Sequence, residues 1–175
     1  DEVEAQIEQL LDEPPVTRSS GELGRATRVD KSRVRYQEFV MSTVPGLDLS
    51  EFKLVIDCAN GAGYKVGPRI LADLGAEIVP IGSSPNGRNI NLNCGSTSPG
   101  LLQLTVPGVQ AQAGIALDGD GDRLVMVDNL GRTVDGDQLL YIIARARKNK
   151  GLLKGPVVGT VMSNLGLEHA LAKEG

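Results

Sequence analysis

Two cysteines in 175 residues, Cys58 and Cys94, are too few for a disulfide scaffold and lack the paired spacing of a zinc site. Both are read as reduced packing residues. No apolar run reaches the roughly 18 residues that a membrane span needs, and the start of the chain lacks the charged-then-apolar pattern of a secretory signal. A soluble cytoplasmic protein with no membrane partner is therefore expected. Positive charge is also short: 18 basic residues face 22 acidic ones, a net charge of −4, so nothing draws the chain generally to nucleic acid. His169 is the only histidine, and no Ser-His-Asp or Cys-His constellation stands out.

What is present describes a folded chain. Hydrophobic residues make up 41% and charged residues 23%, a balance that allows a real core and argues against disorder. The length suits one domain, or one domain with pieces of its neighbours. The 22 glycines are nearly twice the usual share, and many sit beside Asp or Asn, as in loops shaped by backbone demands. The chain opens at Asp1 without a Met and stops at Gly175 just after a helical pattern, and is read as an excerpt of something longer.

Helical spacing of Val3, Ile7, Leu10 and Leu11 predicts a helix over Asp1 to Leu11, stopped by Pro14 and Pro15, with a polar linker from Val16 to Asp30. A second helix is predicted over Ser32 to Thr43, with Val34, Tyr36, Phe39 and Val40 turned inward. Strands and helices then alternate. Lys53 to Cys58 reads as a buried strand, Asn60 to Gly63 as a turn, Tyr64 to Leu74 as a helix capped by Gly75, and Ala76 to Ile81 as a strand. A long loop runs from Gly82 to Pro99. Leu101 to Gln110 should cross between strands, but Pro107 and Gly108 predict a short or irregular crossover. Gly114 to Leu117 and Leu124 to Val127 are predicted strands around an acidic hairpin. Asp135 to Lys150 reads as a helix burying Leu139, Leu140, Ile142 and Ile143, Pro156 to Val161 as a strand, and Leu165 to Lys173 as a helix. The alternation is that of a layered α/β protein.

The hairpin Asp118-Gly119-Asp120-Gly121-Asp122-Arg123 carries the most information. Three carboxylates at alternate positions suit a hard cation such as Mg²⁺, and the glycines let a tight loop gather them around one centre. A solvated acidic turn is the plain alternative. An EF-hand is excluded, because its sixth position should be Gly and is Arg123, and its twelfth should be Glu and is Asn129. Arg123 can hold a phosphate with its planar fork, which points to phosphoryl transfer, or pair with the neighbouring aspartates. Gly61-Ala62-Gly63 only partly matches a dinucleotide fingerprint, because the third Gly is Gly67, one position late. Lys65, Arg69 and His169 read as surface or packing residues.

With these residues in view, the chain resembles the α-D-phosphohexomutase family, whose metal loop is this same Asp-Gly-Asp-Gly-Asp-Arg. The match continues through residues 55–62, Leu74-Gly75-Ala76-Glu77, Asn89-Ile90-Asn91, Cys94-Gly95-Ser96-Thr97, Val134-Asp135-Gly136-Asp137 and residues 162–167. It is closest to the family's bacterial branch acting on glucosamine phosphates. The resemblance implies an α/β fold with a layered mixed sheet and flanking helices, plus partial neighbouring domains. Residues 1–30 would end a first domain, 31–132 make up a complete second, and 133–175 start a third. It implies interconversion of glucosamine 6-phosphate and glucosamine 1-phosphate on the way to cell-wall amino sugars. Asp118, Asp120 and Asp122 would be ligands of a Mg²⁺ cofactor, and Arg123 a contact of the phosphosugar substrate. The family's Ser-His-Asn-Pro nucleophile loop has no match here; Ser19 and Ser20 do not fit it, so no catalytic nucleophile is assigned and the segment alone is expected to be inactive. A phosphomannomutase or phosphoglucomutase of the same family, or a noncatalytic metal-binding module, are the other readings.

Overall fold

The computed structural model describes residues 2–175. Contacts divide the chain into two units, with the break after Ser32. In the first, helix α1 (Glu2–Leu11) forms as its spacing predicts and buries none of its residues. A short 3-10 turn at Ser20–Glu22 follows, tied by the Ser19 backbone amide and hydroxyl, which both donate to Glu22 Oε2 at 3.2 and 2.8 Å.

The second unit is built on a five-stranded mixed sheet in the order β2-β1-β3-β4-β5. Its elements are α2 (Ser32–Ser42, which begins at the break), β1 (Lys53–Asp57), α3 (Val66–Asp73), β2 (Glu77–Ile81), α4 (Gly100–Gly108), β3 (Ala113–Leu117), β4 (Leu124–Asp128), β5 (Thr133–Val134), α5 (Gly136–Asn149) and α6 (Leu165–Glu174). Strand β1 runs parallel to β2 and β3, and the hairpin of β3 with β4 continues antiparallel into β5. The apolar run of β1 is buried, as a central parallel strand requires. Neighbouring residues on a strand face opposite sides, and β1 uses both. Val55 packs into a core with Leu102 and Val106 of α4, Ala111, Ala116 and Val127, whereas the Ile56 side chain lies against Gly67 of α3. The two crossover helices therefore cover opposite faces.

This topology positions the site. From β1 the chain passes to β2 on one side and then, through α4, to β3 on the other. The order reverses between β1 and β3, and ligands of open α/β sheets collect outside the carboxyl ends of strands at such a point. The acidic hairpin leaves the end of β3 there.

Four expectations need correction. The crossover at 101–110 is short, as expected, but not irregular: residues 100–108 form a regular helix, α4, in which Pro107 removes one hydrogen bond and the full burial of Leu102 and Val106 offsets that loss. The inward face expected of α2 is exposed at Val34, Tyr36 and Phe39, and Gln37 is the buried residue. In α5, Ile142 and Ile143 are exposed and Ala144 is buried. Residues 156–161 form no strand; no neighbour pairs with them among the described residues, and Val158 and Val161 are exposed. A β-branched run needs an adjacent strand to satisfy its backbone.

Candidate functional site

The β3–β4 hairpin is an antiparallel pair closed between Leu117 and Leu124. Within it, Asp118, Asp120 and Asp122 each bring a carboxylate oxygen to within 4.8 Å of the other two. Asp118 is buried and the other two are exposed. Asp118 organises the turn: Oδ1 accepts the backbone N–H groups of Gly121 and Arg123, both at 3.1 Å, and Oδ2 accepts Arg123 Nε at 2.8 Å. Arg123 Nε also lies 3.5 Å from Asp122 Oδ1. The sequence left Arg123 between a phosphate contact and an ion pair with the aspartates, and the pairing is present.

Electrostatically the cluster is divided. Burial pushes the Asp118 carboxyl up, but the backbone and side-chain hydrogen bonds of Arg123, a bond with Asp122 and the Arg123 charge outweigh it, holding Asp118 well below the usual carboxylate range. Asp122 is pushed up, first by its hydrogen bond with Asp118, then by desolvation and by the charges of Asp118 and Asp120. Arg123 is raised by the same partners, Asp118 first. One carboxylate thus holds its charge at the expense of its neighbour, a conflict that a cation relieves. The donor set is all carboxylate oxygen, with no thiol or imidazole in it, and fits a hard divalent ion.

Residues around the hairpin hold its backbone. Ala62 N donates to Gly119 O at 2.8 Å, and Gly61 approaches so closely that a Cβ there would lie 2.1 Å from that oxygen. The first glycine of that partial nucleotide fingerprint thus serves contact with the acidic loop, and Gly63 makes room for the Leu117 side chain. Ser96 N donates to Leu117 O at 2.9 Å. Asp57, at the end of β1 and fully buried, accepts Ala59 N on Oδ1 at 2.9 Å and Gly95 N on Oδ2 at 2.7 Å. Asn60 ties the start of the long loop, accepting Ser84 N on Oδ1 at 3.0 Å and donating to Asn89 O at 3.3 Å.

Sequence reasoning singled out neither Asp57 nor Asn60 as functional. The available signal was an acid closing an apolar strand, one residue before an Ala-Asn-Gly turn. Cys58 and Cys94 are free and buried, as expected; Lys65 and Arg69 are surface charges, Lys65 over the Tyr64 ring and Arg69 paired with Asp73, and His169 is exposed.

Comparison with known proteins follows the same outline. A family model described as phosphoglucomutase/phosphomannomutase, alpha/beta/alpha domain II, matches residues 35–131, and the model of domain III matches 135–175. A phosphoglucosamine mutase of Chromobacterium violaceum is 56% identical over all of this chain, which spans 40% of that protein. One of Methylobacillus flagellatus is 57% identical, again over the whole chain and 39% of the relative's length. A crystal structure of a phosphoglucomutase/phosphomannomutase family protein from Burkholderia thailandensis superposes with a TM-score of 0.58 at 28% identity, over 68% of this chain and 26% of that one.

Proposed function

Because the chain belongs to the phosphoglucomutase/phosphomannomutase family, we propose that it is the metal-binding portion of a phosphoglucosamine mutase, interconverting glucosamine 6-phosphate and glucosamine 1-phosphate. The observation that carries this reading is the Asp118, Asp120 and Asp122 cluster, set at the switch point of the sheet in a chain 56% identical throughout to a protein of that name. The matches to domain II over 35–131 and domain III over 135–175 support reading 31–132 as a second domain and 133–175 as the start of a third, which leaves 1–30 as the end of a first.

The three aspartates would hold Mg²⁺, which supplies charge neutralisation to a phosphoryl group in transfer. Asp118 keeps the turn in shape through Gly121 and Arg123, and its buried position makes it the fixed member of the set. Arg123 is two-thirds exposed, at 67%, and both of its ion pairs run through Nε. Its terminal nitrogens then serve as the fork for a substrate phosphate. The phosphoryl donor is a phosphoserine of the remaining protein, since no serine of this segment fits that part, and the segment alone turns over no substrate.

The test is an assay of the intact protein that carries this segment, with glucosamine 6-phosphate and Mg²⁺, following glucosamine 1-phosphate by ³¹P NMR. Asp120→Asn should lower kcat by about 100-fold or more, the scale on which removal of a charge-stabilising group acts. Undiminished turnover in that variant overturns the metal assignment, and faster turnover of mannose 6-phosphate overturns the choice of sugar.

A further inference from the structure

We propose that Asp57 is a positioning residue for the acidic hairpin: its carboxylate, by holding the Ala59 and Gly95 amides, sets where the backbone of residues 117–119 stands and so how Asp118 is presented to a cation. The proposal rests on the metal reading above for its purpose, but its structural content stands apart from it.

Asp57 is fully buried, and a carboxylate is carried there only when its oxygens are well bonded. Both oxygens accept backbone amides, and the two amides lie on different segments: Ala59 on the turn after β1, and Gly95 on the long loop, 38 residues further along the chain. Each of those segments then reaches the acidic hairpin. On one side, Ala59 and Asn60 take left-handed conformations, with φ of 51° and 49°. Non-glycine residues rarely hold these without support, and two in succession make a sharp turn that brings Gly61 and Ala62 against Gly119. On the other side, Gly95 is wedged between Ala59 and Leu117. A Cβ on it would lie 2.5 Å from the Ala59 Cβ and 2.6 Å from Leu117 O. The next residue, Ser96, donates to that same Leu117 oxygen, directly before Asp118.

The two arms are also tied to each other, since Asn91 N donates to Ala59 O at 2.9 Å. One carboxylate at the end of the central strand thus fixes both supports of the hairpin's buried start. A residue that only filled the core would need neither arm.

The test uses the intact protein that carries this segment. Asp57→Asn keeps the shape but turns an NH₂ group toward one of the two amides, leaving that donor unpaired. Amide hydrogen exchange of Ala62 and Ser96, the donors to Gly119 and Leu117, should quicken by roughly tenfold to a hundredfold. Amides of the β4–β5 pairing, which Asp57 does not support, should keep their rates. A Mn²⁺ titration followed by water-proton relaxation should show weaker binding by the same order. Equal acceleration at all amides, or none at Ala62 and Ser96, overturns the proposal.

Wild-type exchange in low denaturant gives the test without a variant: Ala59, Ala62, Gly95 and Ser96 should open together, and separate opening of Gly95 overturns it. Asp120→Asn isolates the metal reading, because it removes a ligand and leaves the Asp57 contacts in place. If Mn²⁺ binds neither the wild type nor this variant, or binds both alike, the metal reading fails while the exchange data still decide the role of Asp57.

Discussion

A single buried side chain can report on the ground beneath the site. Cys58, fully buried beside Asp57, has its thiol pushed from the ordinary 9.0 up to about 12, first by desolvation and then by the Asp57 charge. Cys94 is shifted the same way, burial first. Thiolate is the reactive form, so neither cysteine should react with a thiol reagent at pH 8 in the native chain, and both should react at once in denaturant. The same shift carries a stability consequence. Between pH 9.0 and about 12 the unfolded chain gives up a proton that native Cys58 retains, so the native state binds more protons and loses stability as pH rises. The loss should approach about 1.4 kcal/mol per pH unit, and Cys58→Ala should remove that share of it. Urea unfolding at several alkaline pH values measures both slopes; identical slopes would mean that the thiol is not desolvated as the packing requires.

At the scale of elements, α4 shows how unequal similar side chains become once packed. Leu101, Leu102 and Leu104 are indistinguishable by composition, yet Leu102 is fully buried against β1 and β3 while Leu101 and Leu104 are exposed. Leu102→Ala should cost about 2–5 kcal/mol in a denaturant titration, and Leu104→Ala less than about 0.5 kcal/mol. Comparable losses would contradict the seating of the helix. The same element marks the limit of sequence reasoning. Elements whose signal is local were legible: the apolar β-branched run of β1, the hairpin strands around the acidic turn, and the long helix α5. Pro107 misled because its lost hydrogen bond is a local cost, whereas the burial of Leu102 and Val106 that offsets it is set by the sheet beneath the helix. The faces of α2 and α5 misled because apolar spacing marks a surface without saying what covers it; Phe39 and Ile142 are exposed. The three aspartates of the acidic hairpin stand at alternate positions of one short segment and could be found there. Asp57 acts through Gly95, 38 residues on, and only the fold brings the two together.

For the whole chain, stability should be graded in a way the architecture dictates. Hydrogen-bonded amides are protected in proportion to the free energy of opening them, and that energy comes from the apolar surface that opening exposes. Helix α1 is ten residues long and buries none of them. An isolated helix of that length is marginal in water, so its amides should exchange almost as freely as those of a short peptide. Strand β1 is the opposite case, hydrogen-bonded on both sides by β2 and β3 and buried on both faces by α3 and α4. Its amides, with those of β3, can be freed only by opening the core built on Val55, Leu102 and Val106, and should exchange at the rate of global unfolding. Between these extremes lie the amides of the acidic hairpin, joined to the core through Leu117 and open to solvent at Asp120 and Asp122. Saturating Mg²⁺ should slow exchange at Gly121 and Arg123, whose amides Asp118 accepts, and leave α1 untouched, because a ligand protects only what must open to release it. Native-state exchange with and without Mg²⁺ reads all three tiers in one experiment. Protection in α1 equal to that of β1 would refute the grading, and Mg²⁺-dependent slowing spread evenly over the chain would refute the hairpin as the place where the ion acts.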